Sequence, residues 1–343
     1  MPPETNRLSV VVPVALHEPG VSANSWRAPV ALKNYGRVYS MLATFLQMFR
    51  QADLHEFLII CPDHEVPVLQ KLVSLLTQDA RYQVLAESTL CPDLVNVRNP
   101  HSRQLSGWYI QQLLKLAVAA RITTPFYLTL DSDILCCRPF HYGDLVRDGR
   151  AVNAIETIDD YNRIYTPEFA RQEMAVKIDR QIGSERILGW RRGPLQRHSS
   201  FSETPVVMHA GQVQQLTCHL EQRYHMPWQA ALSQNSLTWT EYTLYFGFLA
   251  MNEVLNSFCE ITDCNAVLNL EKSAWQPRSR YRTARSYEVP HLFNGTGGPF
   301  VALQSWLAPA EWLPEELTSS DDYYRQLLAT VMAATPPLPA NRV

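Results

Sequence analysis

The stretch Phe126-Tyr-Leu-Thr-Leu-Asp131-Ser-Asp133-Ile-Leu-Cys-Cys-Arg-Pro139 constrains this chain more than any other. Large apolar and β-favouring residues run into two carboxylates one residue apart and stop at a proline. That pattern reads as a buried strand ending in an Asp-x-Asp turn. Side chains alternate along an extended segment, so it predicts Asp131 and Asp133 on one side and Ser132 on the other. Two like charges aimed at one spot repel, and a divalent cation is the usual reason to pair them. Mg²⁺ or Mn²⁺ takes one or two carboxylates plus substrate phosphates. The stretch is therefore a candidate metal–diphosphate site at the carboxyl end of a strand, where open α/β sheets bind ligands. The plain alternative is a pair of solvated turn acids.

The residues before it alternate between β and α periodicity. Apolar runs at 8–14, 56–61 and 82–86 read as strands. Val38, Met41, Leu42, Phe45, Leu46 and Phe49 recur at helical spacing, and 66–76 reads as a second helix. A third helix, 106–122, has Ser106 as a candidate cap. It puts Ile110, Leu113, Leu114, Ala117 and Val118 on one face and Gln111, Gln112 and Lys115 off it. Residues 21–33 look irregular. The alternation predicts an α/β fold with a mixed, mostly parallel sheet, helices on both faces and a Rossmann-like nucleotide-binding half.

Beyond Pro139 the regularity weakens. A strand is expected at 151–155 and a polar excursion over the site at 159–200, including Trp190. Further elements are a strand at 204–208, helices at 212–224 and 238–251, a short strand at 300–304, a helix at 321–332, and a Pro-rich tail at 335–343 expected to be disordered.

Composition excludes several functions. A net charge of −3 over 343 residues lacks the basic field of a nucleic-acid binder. There is neither a Gly-x-Gly-x-x-Gly fingerprint nor a P-loop. Seven cysteines, an odd number without regular spacing, fit a reducing compartment better than a disulfide framework. The nine-residue apolar run at 8–16 is too short to span a bilayer, so the chain reads as cytoplasmic, without a transmembrane segment. Asn294-Gly-Thr296 is formally a glycosylation sequon, which a cytoplasmic chain would leave unmodified.

At Asp131-Ser-Asp133 the chain resembles glycosyltransferases of the GT-A fold, distantly the glycogenin-like, family 8 type. That family carries a Lys or Arg about sixteen positions before the first Asp that meets the donor phosphates, and Lys115 stands there. Its Asp-Gln pair resembles Thr240-Glu241-Tyr242, with Glu241 facing the sugar. Its strand before the acceptor loop resembles Ser202-Glu-Thr-Pro-Val-Val-Met208, with Pro205 where the family has Gly. Its late His-x-x-Gly stretch resembles His291-Leu-Phe-Asn-Gly295, without the family's Lys. The resemblance implies one catalytic domain over 1–334: a nucleotide-sugar-binding half at 8–140, an acceptor-side half at 141–310 and a terminal helix at 318–334.

It also implies a Mn²⁺- or Mg²⁺-dependent hexosyl transfer from a nucleoside-diphosphate sugar, UDP favoured, to an unknown carbohydrate, lipid-linked or small-molecule acceptor. Asp131, Asp133 and His291 would hold the metal, with Gln304 or Ser305 as alternatives to His291. Val12, Asp63, Arg37, Gln112, Lys115, Asp131 and Ser132 would meet the donor, Asp63 through base or ribose and Arg37 through diphosphate. Glu241 or Glu203 would deprotonate the acceptor if the reaction inverts, or orient the sugar if it retains. Trp108 and Tyr109 read as core or rim aromatics. Two other readings share the motif: a phosphatase of the haloacid-dehalogenase type, with the first Asp as nucleophile, and a nucleotide-sugar-binding protein without turnover.

Overall fold

The computed structural model describes residues 6–16, 32–92, 107–190, 199–283, 287–293, 297–304 and 319–333, with Leu307, Leu313, Pro314 and Leu317 between the last two. The expectations for 21–31, Ser106, Gly295 and the 294–296 sequon, Ser305 and the 335–343 tail lie outside these residues.

The first strand, β1 (Leu8–Pro13), is followed by helix α1 (Leu32–Met48), β2 (Leu54–Cys61), α2 (Val66–Leu76), β3 (Tyr82–Ala86), α3 (Gly107–Ala117) and β4 (Phe126–Thr129). The second half runs β5 (Ile134–Cys136), β6 (Val146–Arg147), β7 (Arg150–Thr157), α4 (Ile158–Ile164), α5 (Pro167–Leu188), β8 (Ser199–Phe201) and β9 (Val206–His209). It continues with α6 (Ala210–Tyr224), α7 (Glu241–Met251), β10 (Cys259–Thr262), β11 (Phe300–Ala302) and α8 (Ser320–Ala333).

The main sheet has the order β3-β2-β1-β4-β9. Its first four strands are parallel, and β9 runs antiparallel to β4, with Phe126 opposite His209. The expected mixed, mostly parallel sheet is what the chain forms. Strand alternation divides the core in two. Val10, Val12, Phe57, Ile59, Phe126 and Leu128 pack with α1 and α2. Val11, Leu58, Ile60 and Tyr127 pack with α3, α6 and α7. A second sheet, β10-β7-β6, has β8 on β7. It is tied to the first where Asn153 exchanges two 3.0 Å hydrogen bonds with the Val207 backbone.

Two helices position the cleft. α7 is apolar nearly all round and buried along most of its length, which suits a helix packed on several sides. It starts at Thr240, whose hydroxyl accepts from the Thr243 amide at 3.0 Å. α5 occupies much of the stretch expected as a polar excursion over the site. Its 22 residues begin with Pro167 and end at Gly189 in the left-handed conformation. Charged residues mask its periodicity, since Lys177 and Glu185 are buried among Phe169, Met174 and Ile187. α5 touches the segment before α7 through Gly183, where an added Cβ would come 1.8 Å from the Thr238 carbonyl oxygen.

Candidate active site

β4 ends at Thr129, and residues 131–133 form a tight turn closed by the Ile134 amide donating to the Asp131 carbonyl at 3.1 Å. The chain is not extended here, so the expected alternation fails: Asp131, Ser132 and Asp133 all line one cleft. β11 pairs with β5 just beyond, and the Leu303 amide donates to the Asp133 carbonyl at 2.9 Å. Asp133 is 7% exposed.

The cleft holds about 440 Å³. Arg37 from α1, Gln112 and Lys115 from α3, the Asp131–Asp133 turn, Glu203 and Glu241 all line it, as do Trp108 and Gln304. Glu173, Val176 and Arg180 from α5, together with Trp275 and Gln276, also line it and were missed by sequence reasoning. Arg37 also donates to the Ala15 carbonyl at 3.0 Å. α8 seats Tyr324 against α1 at Gly36, where an added Cβ would meet Tyr324 Cβ at 3.0 Å. Burial raises the Tyr324 phenol, opposed by nearby Arg37 and reinforced by Asp133.

Lys115 sits at the centre. Its ammonium donates to Asp131 at 2.6 Å and Tyr242 at 3.0 Å and pairs with Glu241 at 2.9 Å. Those three contacts hold the ammonium between the Asp-x-Asp turn and α7. The polar side of α3 is likewise not solvated: Gln112 accepts from the Glu241 amide at 3.2 Å, and Lys115 is 3% exposed. Burial alone would lower the Lys115 pKa, but Asp131, Glu241 and Tyr242 together raise it well above the usual value. Burial raises the Glu241 carboxyl, with Lys115 opposing.

A second charged layer lies on α5. Arg180 Nη1 donates to both oxygens of Glu203 at 2.8 Å. Behind it the Lys177 ammonium and the Tyr161 hydroxyl donate to Glu156, which also accepts from Ser202 at 2.7 Å. Burial would raise the Glu203 carboxyl, but Lys177 and Arg180 outweigh it and hold the value down.

Three expected site residues fall elsewhere. Val12 points into the α1-side core, because β1 is buried on both faces. Asp63 is exposed after β2 and accepts from the Ser88 amide at 3.3 Å and from its hydroxyl. His291 lines a separate cavity with Arg163, Glu271 and Lys272, so the structure does not bring it to Asp133. Of its alternatives, Gln304 reaches the cleft.

No cluster of three His, Cys, Asp or Glu side chains suited to a metal occurs among the described residues. The cleft still fits a hard cation shared with a diphosphate, which needs only one or two carboxylates. Asp131 and Asp133 stand on one turn, and five carboxylates line the cleft against three cations, Arg37, Lys115 and Arg180.

The sheet order, four parallel strands with β9 antiparallel at the edge, is that of a GT-A fold. The chain is similar in structure to the bifunctional glycosyltransferase WbbM, with a TM-score of 0.51 and 10% identity over 96% of this chain and 50% of that one. It is also similar to galactosyltransferase LgtC in complex with donor and acceptor sugar analogues (TM-score 0.44, 10% identity, 96% of this chain and 98% of that one). Mouse xyloside xylosyltransferase 1 is a further likeness (TM-score 0.42, 12% identity, 90% and 100%). By sequence, the chain belongs to the family described as "Family of unknown function (DUF6492)", which matches residues 5–328. No curated protein matches the sequence. No helix among the described residues is long and apolar enough to cross a membrane.

Proposed function

We propose that this chain is a Mn²⁺- or Mg²⁺-dependent glycosyltransferase that moves a sugar, a hexose favoured, from a UDP-sugar to an acceptor hydroxyl. The observation that carries the reading is the meeting of the Asp131–Asp133 turn, Arg37 and the Lys115–Glu241 pair in one cleft at the carboxyl end of β4. Seven cysteines, an odd number without regular spacing, favour a reducing compartment such as the cytoplasm.

In this reading Asp133 and Asp131 would hold the cation, which would neutralise charge on the departing nucleoside diphosphate. Arg37 approaches the same diphosphate. Lys115 is a positioning residue: it fixes the Asp131 carboxylate and, through Glu241, the wall that faces the sugar. Glu203, kept ionised by Arg180 and Lys177, supports positive charge developing at the sugar carbon.

The test is release of nucleoside diphosphate from a panel of UDP- and GDP-sugars, with Mn²⁺ or with EDTA. Metal-dependent release from one donor, lost by about a hundredfold or more in Asp133→Ala, is the expected result. No release and no metal-dependent binding of any donor would overturn it. Binding without release would instead select a nucleotide-sugar-binding protein.

A further inference from the structure

α5 presents one stripe to the cleft. Glu173, Val176 and Arg180 are spaced by three and four residues, so they share a face of the helix, and all three line the cavity. Arg180 is already matched: both oxygens of Glu203 accept from it, and its guanidinium lies 5.3 Å from the Trp108 ring centroid. Glu173 is different. Its carboxylate makes no hydrogen bond or ion pair with the described residues. Burial raises this carboxyl, with Lys177 opposing and Glu203 adding, and a hydroxyl donor would stabilise its ionised form.

Val176 and Trp108 supply a second, independent sign. Each is 45% exposed, and they are two of the four large apolar residues left exposed among the described residues. Both line this cleft. Apolar surface left open beside convergent polar groups marks a ligand groove. A sugar ring has that mixed character, with a face of C–H groups and a rim of hydroxyl donors.

Resting on the glycosyltransferase reading, we propose that the α5 wall is the acceptor subsite and that it takes an uncharged sugar. Trp108 and Val176 receive the C–H face of the ring, and Glu173 accepts from its hydroxyls. A carboxylate accepts two such bonds and donates none, so it selects hydroxyl donors. An acidic acceptor would meet Glu173 while the charge of Arg180 is already balanced by Glu203.

The test uses the full chain with Mn²⁺ and UDP-glucose or UDP-galactose. UDP release is followed with methyl glucoside, methyl galactoside or methyl glucuronide as acceptor. An uncharged glycoside should accelerate release over water alone, with a KM about tenfold or more below that of the glucuronide. Glu173→Gln should raise the uncharged acceptor's KM about tenfold, well beyond any change in donor KM, and narrow the preference over the glucuronide. Trp108→Ala, at a half-exposed position, should raise the same KM.

The subsite is overturned if no glycoside accelerates release, if the glucuronide serves equally well, or if Glu173→Gln moves donor and acceptor KM alike. Donor binding by calorimetry separates the two failures. A wild-type chain that binds or cleaves a donor but fails the acceptor comparison removes the subsite alone. One that neither binds nor cleaves any donor removes the glycosyltransferase reading, and the subsite with it.

Discussion

Two cation–carboxylate clusters meet in the cleft, and they are built to different rules. Lys115 is almost sealed among Asp131, Glu241 and Tyr242. Arg180 keeps 24% of its side chain exposed, pairs among the described residues with Glu203 and lies over Trp108. The first arrangement fixes geometry, because a charge in low dielectric tolerates few alternatives. The second leaves a hydrated edge that a ligand can use. The difference separates the rigid wall beside the Asp-x-Asp turn from the adaptable wall on α5.

Lys115→Met is the strongest way to break the comparison. It leaves Asp131 and Glu241 facing each other without a cation, and a loss of about 3–5 kcal/mol in denaturant unfolding is expected. Arg180→Met exposes a weaker dependence. Glu203 keeps Lys177 as a neighbour and is partly hydrated, so about 1–2 kcal/mol is expected from the same measurement. Equal losses in the two variants would end the distinction.

The pH dependence sharpens it. Glu203 has a lowered carboxyl pKa, so its contribution is present above the unfolded carboxyl value of about 4.3 and disappears as pH falls through the lowered folded value. Glu241 has a raised pKa, so the folded state binds its proton more tightly. Its contribution is full below about 4.3 and is lost as pH rises through the raised folded value. Removing each with Gln should therefore change the stability–pH slope in opposite senses, read as unfolding midpoints from pH 3 to 7. The same sign in both would mean that the two clusters titrate as one.

The smallest effect is expected outside both. His291→Ala lies at a separate cavity and should change stability by no more than about 0.5 kcal/mol, with the metal requirement of nucleotide release unaltered. A loss of metal dependence would bring His291 back as a ligand.

Sequence alone settled the frame. β1 to β4, α1 to α3 and the position of the Asp-x-Asp turn follow from period and polarity, because those elements bury regular apolar faces. Lys115, Glu241, Glu203, Gln112 and Arg37 were legible as candidates through the resemblance and their places on those elements, and they share the cleft. Tertiary structure decided the rest. α5 escaped notice because its buried side includes Lys177 and Glu185, and the partner of Lys177, Glu156, lies outside the helix. Glu173 and Arg180 went with it. The same limit applies to Lys115. Its partners lie 16 and 126 residues away, and only the packing of α3 against the turn after β4 and against α7 brings Asp131 and Glu241 within reach. A local pattern reports which face of a helix is apolar, whereas the use of a buried charge depends on which distant groups reach it first.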